Sequence, residues 1–272
     1  MWRNRLGCDD LSGGQRQAVD NKKRKEKTMI DTLLTEVIGK TLDYARSRRS
    51  CVLIQGKTGR GKTVAVKNWS ARKKNVFYVD CPSDGGVPAL AAAIVEATGA
   101  PSVDNLDTWL AGQKATLILD ECARLIPAKQ ERGPRALEFL RRMHDTYGIA
   151  LAFVATDFFL KECAKGNIGE YLEQFIGRFR DKCIIPDYVS PQEATDILKG
   201  FIPGELQEPL IEWAVSVANE TGRGGARRLW WLMEDAADIA AANKMTIDLK
   251  FLQAILHDYE GKERLPGKPK VR

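Results

Sequence analysis

An apolar run, CVLIQ at 51–55, leads straight into GKTGRGKT at 56–63, and the helix-forming stretch TVAVKNWSARKK follows from Thr63. Strand, glycine-rich loop and helix in immediate succession, with the loop spelling G-x-x-x-x-G-K-[ST] in full, leave few folds open. Backbone N–H groups of such a loop cradle an anion, and the helix points its positive end at it. The spacing assigns Gly56, Lys57, Thr58, Gly59, Arg60 and Gly61 to the cradle. Lys62 reaches the β- and γ-phosphates of a nucleotide, and Thr63 supplies a hydroxyl to Mg2+.

Further along, NVFYVDC, ATLILD, IALAFVAT and KCIIPDY read as strands, with helical stretches between them. These strands read as apolar throughout instead of alternating, which marks a parallel sheet covered on both faces. After Tyr188 the strand signals stop. SPQEATDILKGF opens with Ser190 and Glu193 spaced as a capping box, and three more helical stretches follow, near 205–220, 223–243 and 246–259. The predicted fold is α/β: a parallel P-loop sheet sandwiched by helices, then a small all-helical lid. The predicted organisation is a basic leader over 1–28, a nucleotide-binding domain over 29–189, a helical lid over 190–260 and a basic tail over 261–272.

TLILDE at 116–121 is the partner the phosphate loop requires. A buried strand delivers Asp120 to the sheet edge beside the phosphates, where it helps hold Mg2+. Glu121 then orients and deprotonates the attacking water. The ligands expected are ATP and Mg2+. LSGGQRQ at 11–17 matches the signature of ABC-type ATPases, but there the signature follows the phosphate loop and precedes the Asp-Glu strand. Here it ends long before Gly56, inside the polar leader, and is read as coincidence.

The net charge is +6, and its placement matters more than its size. Residues 1–27 carry a net +4 and residues 260–272 a net +3, so the body between them is near neutral. Charged tails of this kind suit an anionic partner; KKRKEK at 22–27 reads equally as part of a solvated, disordered leader. The six cysteines form no CxxC pair and read as small buried hydrophobes in a reducing compartment. No apolar stretch reaches membrane-spanning length. The expectation is a cytoplasmic protein with no membrane association.

The order of these features resembles an AAA+ ATPase and, more narrowly, the MuB/TnsC group of transposition proteins. The resemblance rests on LILDECARL, FVATD ending the fourth strand, GRFR before the fifth, and GGARRLWWLMEDAA followed by MTIDLKFLQAIL. It implies that Thr156 senses the γ-phosphate and that Arg178 or Arg180 is a finger acting on a neighbouring subunit's ATP. It also assigns Arg227 and Arg228 to the nucleotide. Two arginines at a helix start, where cations are disfavoured, independently call for an anion. The implied function is an ATP-dependent assembly, ring or helical filament, on double-stranded DNA that recruits a transposase. The loop CPSDGGVPA carries no Lys or Arg. DNA contacts are therefore expected from Lys22, Lys23, Arg24, Lys25 and Lys27 of the leader and from Lys129, Arg132 and Arg135. The alternatives are a helicase loader or replication initiator, or an AAA+ ATPase of secretion or signalling that does not bind DNA.

Overall fold

The structure is a computed structural model that describes residues 32–126, 134–163, 173, 175–220 and 224–263. The leader, with LSGGQRQ and Lys22 to Lys27, lies outside the described residues. So do Lys129 and Arg132.

Helix α1 (Leu33–Arg48) starts on a capping box formed by Thr32 and Thr35. Strand β1 (Cys51–Gln55) feeds the glycine loop and α2 (Lys62–Ala71). Then come β2 (Val76–Asp80), α3 (Val87–Thr98), α4 (Leu106–Gly112) and β3 (Thr116–Asp120). A 3-10 turn at Cys122–Leu125, α5 (Arg135–Tyr147), β4 (Ala150–Ala155), α6 (Phe159–Cys163) and β5 (Phe179–Ile184) complete the α/β part. The strand order is β2-β3-β4-β1-β5 and every pairing is parallel.

Strand composition follows position in the sheet. β1, β3 and β4 are central and buried along their whole length, while the edge strands β2 and β5 mix buried and exposed residues. Leu53, Leu117, Leu119, Leu151 and Phe153 face one core, which α3, α4 and α5 cover. Val52, Ile54, Ile118, Ala152 and Val154 face the other, beneath α1 and α2. Because all strands are parallel, the loops that leave their C-terminal ends gather on one edge, where open α/β sheets bind ligands.

β5 starts earlier than KCIIPDY suggests. Phe179 pairs with Cys51 and Asp181 with Val52, so Arg180 is the extra residue of a bulge inside the strand instead of a residue ahead of it. In FRDKCI three charged residues, Arg180, Asp181 and Lys182, separate Phe179 from Cys183, so the strand lacks the continuous apolar signal of the central strands.

The C-terminal helices are α7 (Pro191–Lys199), α8 (Glu208–Asn219), α9 (Ala226–Asn243) and α10 (Leu249–Glu263). Ser190 and Glu193 form the capping box at α7. These helices share a core of their own, with Leu198, Ala214, Leu229, Met233 and Leu252 at its centre. No described helix is long and apolar enough to cross a membrane.

Candidate nucleotide site

The loop Gly56–Gly61 leaves the middle of the sheet, with the end of β3 one strand beyond β4. Gly59 and Gly61 both have φ of +84°, a left-handed conformation that favours glycine. Gly56 is required for another reason: a Cβ there would meet the Cβ of Ile185 at 2.8 Å. The first turn of α2 is thereby aimed across the loop, and ten residues of helix stand behind it.

Lys62 is buried, and its Nζ donates to the carbonyls of Gly56 at 2.6 Å and Lys57 at 2.9 Å. Burial lowers its pKa, the carboxylates of Asp120, Glu121 and Asp157 pull the other way, and the Arg227 guanidinium adds to the lowering. These are the charges that converge on the loop. Thr63 Oγ1 donates to Asp120 Oδ2 at 2.7 Å, so hydroxyl and carboxylate meet directly. Asp120 itself is 2% exposed. Glu121 takes a left-handed backbone (φ +53°), uncommon for a residue with a side chain, and its N–H turns back to Asp120 Oδ1 at 2.9 Å. Thr156 is half-buried just past the end of β4, and the Gln55 amide donates to the neighbouring Asp157 carbonyl at 2.9 Å.

The donor set fits a nucleotide with Mg2+. Thr63 and Asp120 supply hard oxygen ligands, and Mg2+ commonly takes one or two such groups together with phosphate oxygens. No cluster of three or more His, Cys, Asp or Glu side chains able to hold a metal occurs among the described residues. Thr63, Asp120 and the phosphates would therefore share the ion.

Two loop side chains turn away from the cradle. Lys57 pairs with Asp187 at 2.7 Å, which raises its pKa. Arg60 is 2% exposed; its Nε donates to the Pro186 carbonyl at 3.0 Å and its Nη2 to Glu193 of α7. Their contribution to an anion is confined to their backbone N–H groups.

The C-terminal helices reach the same loop. Arg227 N–H donates to the Gly59 carbonyl at 3.1 Å, and the turn Gly224–Gly225 lies against Gly59 so closely that a Cβ on Gly59 would meet the Gly224 oxygen at 2.2 Å. The two arginines differ. Arg228 forms an ion pair with Glu220. Arg227 is exposed, lies over the Trp231 ring, and is the one whose charge is felt at Lys62.

Arg178 and Arg180 also differ. Arg178 is half-buried and grips both carboxylate oxygens of Asp145 on α5, at 2.8 to 3.0 Å. This lowers the Asp145 pKa, with a smaller part from Arg141. Arg180 is exposed at the β5 bulge. The segment is anchored by Phe175 and Phe179, whose rings pack edge-on against Phe153 and each other at 5.1 to 5.4 Å. All of this sits at the N-terminal end of β1 and β5, away from the chain's own phosphate loop. Arg135 is exposed in the first turn of α5.

Sequence reasoning missed four contacts: Tyr78, whose hydroxyl donates to Asp120 Oδ2 at 2.9 Å; Glu193 as the partner of Arg60; Gly224 as the wall against Gly59; and Asp145 as the partner of Arg178. Only Glu193 carried a signal, as the capping residue of α7, and that signal pointed to a helix start instead of to the loop.

Residues 45–163, somewhat under half of the chain, match the family model described as AAA domain. Among solved structures, the replication initiator DnaA bound to AMPPCP and single-stranded DNA is similar, at 19% identity and a TM-score of 0.52, over 84% of this chain and 64% of that one. The Walker-type ATPase PABY2304 of Pyrococcus abyssi matches at 13% identity and 0.55, over 86% of this chain and 73% of that one. A single-substitution variant of Thermotoga maritima RuvB matches at 16% and 0.53, over 83% and 69%. The chain thus spans less than two thirds of the DnaA chain it matches. No curated protein matches. At these identities the solved structures show the fold alone, and the fold is that of P-loop AAA+ proteins. Together with the domain match it supports an AAA+ ATPase.

Proposed function

We propose that this chain is an ATP-dependent, DNA-binding AAA+ ATPase that assembles as a ring or filament on duplex DNA and recruits or activates a transposase. The observation that carries the ATPase part is the 2.7 Å contact between Thr63 and Asp120 beside the buried Lys62. Mg2+ bound there would neutralise phosphate charge as it develops. Lys62 would leave the Gly56 and Lys57 carbonyls for the β- and γ-oxygens, and Glu121 would take the proton of the attacking water. Thr156, past the end of the strand between β1 and β3, would contact the γ-phosphate or that water. Arg227 would reach the phosphates from α9.

Assembly is supported by the position of Arg180. It is exposed, set on a bulge, and remote from its own phosphate loop, so the ATP it can serve belongs to a neighbour. Bulges commonly re-aim a side chain next to a functional site. The DNA part rests on the basic ends of the chain, on Arg135, and on the MuB/TnsC resemblance. A near-neutral body gives one subunit few phosphate contacts, whereas an assembly multiplies them. The protein would act in the cytoplasm.

A replication initiator or helicase loader is the second reading, favoured by the similar fold of DnaA, described as bound to AMPPCP and single-stranded DNA. Anisotropy binding to random duplex and random single-stranded DNA separates the two. It is run with a non-hydrolysable ATP analogue, ADP or no nucleotide, across a salt series. Duplex binding that needs the analogue and weakens steeply with salt supports the adaptor. A preference for single strands supports the initiator or loader. Equal affinity in all three nucleotide states sinks the ATP-gated assembly, and no binding at low salt moves the assignment to a non-DNA ATPase.

A further inference from the structure

Asp120 has two oxygens, and three donors meet them. Oδ1 accepts from the Glu121 N–H, while Oδ2 accepts from both Thr63 and Tyr78. The Tyr78 hydroxyl comes from β2, an edge strand well away from the strand that feeds the phosphate loop. Tyr78 lies opposite Ile118, two residues before Asp120, so the ring reaches diagonally across one strand pair to the carboxylate. The ring is itself held: Lys67, one turn after Thr63 on α2, places its ammonium 4.4 Å from the ring centre.

We propose that Tyr78 is a positioning residue for Mg2+-nucleotide binding, fixing the Asp120 carboxylate through the hydroxyl contact on Oδ2. The proposal rests on the nucleotide reading above. A carboxylate can only accept, so the Tyr78 hydroxyl must donate. Thr63 has one proton and two lone pairs, so it can turn a lone pair to a metal while donating to Oδ2, but its orientation then answers to the metal as well. Tyr78, anchored in β2, is the second side-chain donor that holds that oxygen in place. Residues that hold a metal's ligand typically account for roughly 10–100-fold in metal affinity.

The experiment uses the full chain and a fluorescent, non-hydrolysable ATP analogue, titrated at a series of Mg2+ concentrations and in EDTA. Tyr78→Phe keeps the ring and the Lys67 contact and removes only the hydroxyl. The expected result is a rise of roughly tenfold in the Mg2+ needed for half-maximal enhancement, with affinity in EDTA unchanged. Lys67→Met, which removes the cation over the ring and leaves the hydroxyl, should stay within about twofold of wild type. Wild-type behaviour of Tyr78→Phe overturns the proposal while the nucleotide reading stands. Equal weakening with and without Mg2+ also overturns it, because the ring then acts through packing. A shift of equal size in Lys67→Met overturns it too, because the effect then belongs to the ring and its cation. If the wild-type protein shows no Mg2+ enhancement, the nucleotide reading fails and takes the proposal with it.

Discussion

Arg60, in the middle of the phosphate loop, donates through one guanidinium nitrogen to both carboxylate oxygens of Glu193, at 2.8 and 3.1 Å. Both side chains are buried, and Glu193 also accepts the Ser190 N–H at the start of α7. Arg60 Nη1 has no hydrogen-bond partner. A buried pair with one donor left over adds little net stability, yet removing one partner is costly because it strands the other charge. The pair ties the middle of the phosphate loop to the first C-terminal helix.

Arg60→Ala should therefore lower the unfolding free energy by about 3 kcal/mol, read from urea denaturation. Pairing Arg60→Met with Glu193→Gln should recover much of that loss, since neither charge is then buried alone and the capping acceptor is retained. An Arg60→Ala protein that unfolds at the wild-type urea concentration would show that the pair couples nothing.

Lys62→Ala removes the charge closest to the loop carbonyls and should abolish tight nucleotide binding. Glu121→Gln should keep binding and slow hydrolysis about 10²-fold, the usual scale for losing a general base. Equilibrium binding and phosphate release measured on the same two variants check both statements. Wild-type turnover in Glu121→Gln would remove that residue from the chemistry.

The two arginines before and within β5 should separate cleanly. Arg180→Ala should leave the melting temperature unchanged and flatten the rise of ATPase rate per subunit with protein concentration. Arg178→Ala should destabilise the fold by releasing Asp145. The Asp145 pKa is lowered in the folded chain, so its stabilisation is present above the ordinary carboxylate range and fades as pH falls through the lowered value. Acid titration of Arg178→Ala should accordingly show a shallower loss of stability than wild type. If Arg178→Ala is the variant that flattens the concentration dependence without a stability change, the assignment is reversed.

Burial pushes the thiols of Cys51 and Cys81 up to about 12. Both should resist iodoacetamide in the native protein at about pH 8 and react fully in urea, which mass spectrometry of the labelled peptides resolves. Because the folded pKa is raised, the thiols' contribution to stability is complete below the unfolded value near 9.0 and is lost as pH climbs toward 12. Native-state labelling at the unfolded rate would place these cysteines at the surface.

The parallel sheet was readable because β1, β3 and β4 are buried on both faces and show it as unbroken apolar runs. β5 starts earlier than the sequence indicates because Arg180, Asp181 and Lys182 interrupt its apolar signal and Arg180 sits in a bulge, which no spacing rule signals. The phosphate loop and the Asp-Glu strand were legible because their spacing is set by local backbone geometry. Tyr78, Asp145 and Gly224 were not, since each acts on a residue distant in the chain through contacts that leave no local pattern. Arg227 and Arg228 look equivalent in sequence; the Glu220 carboxylate beside Arg228 and the Trp231 ring beneath Arg227 distinguish them.

The contact between Gly59 and Gly224 also bears on how this chain could be divided. The change from strands to helices at 189/190 invites a cut there, but the seam between the two parts passes through the phosphate loop. A chain ending at that point would keep every residue of the loop motif. Even so, the Gly59 carbonyl would lose the Arg227 N–H, and the Arg60 charge would lose its carboxylate. The smallest fragment with an intact phosphate cradle must therefore run from the strands through at least the first turn of α9.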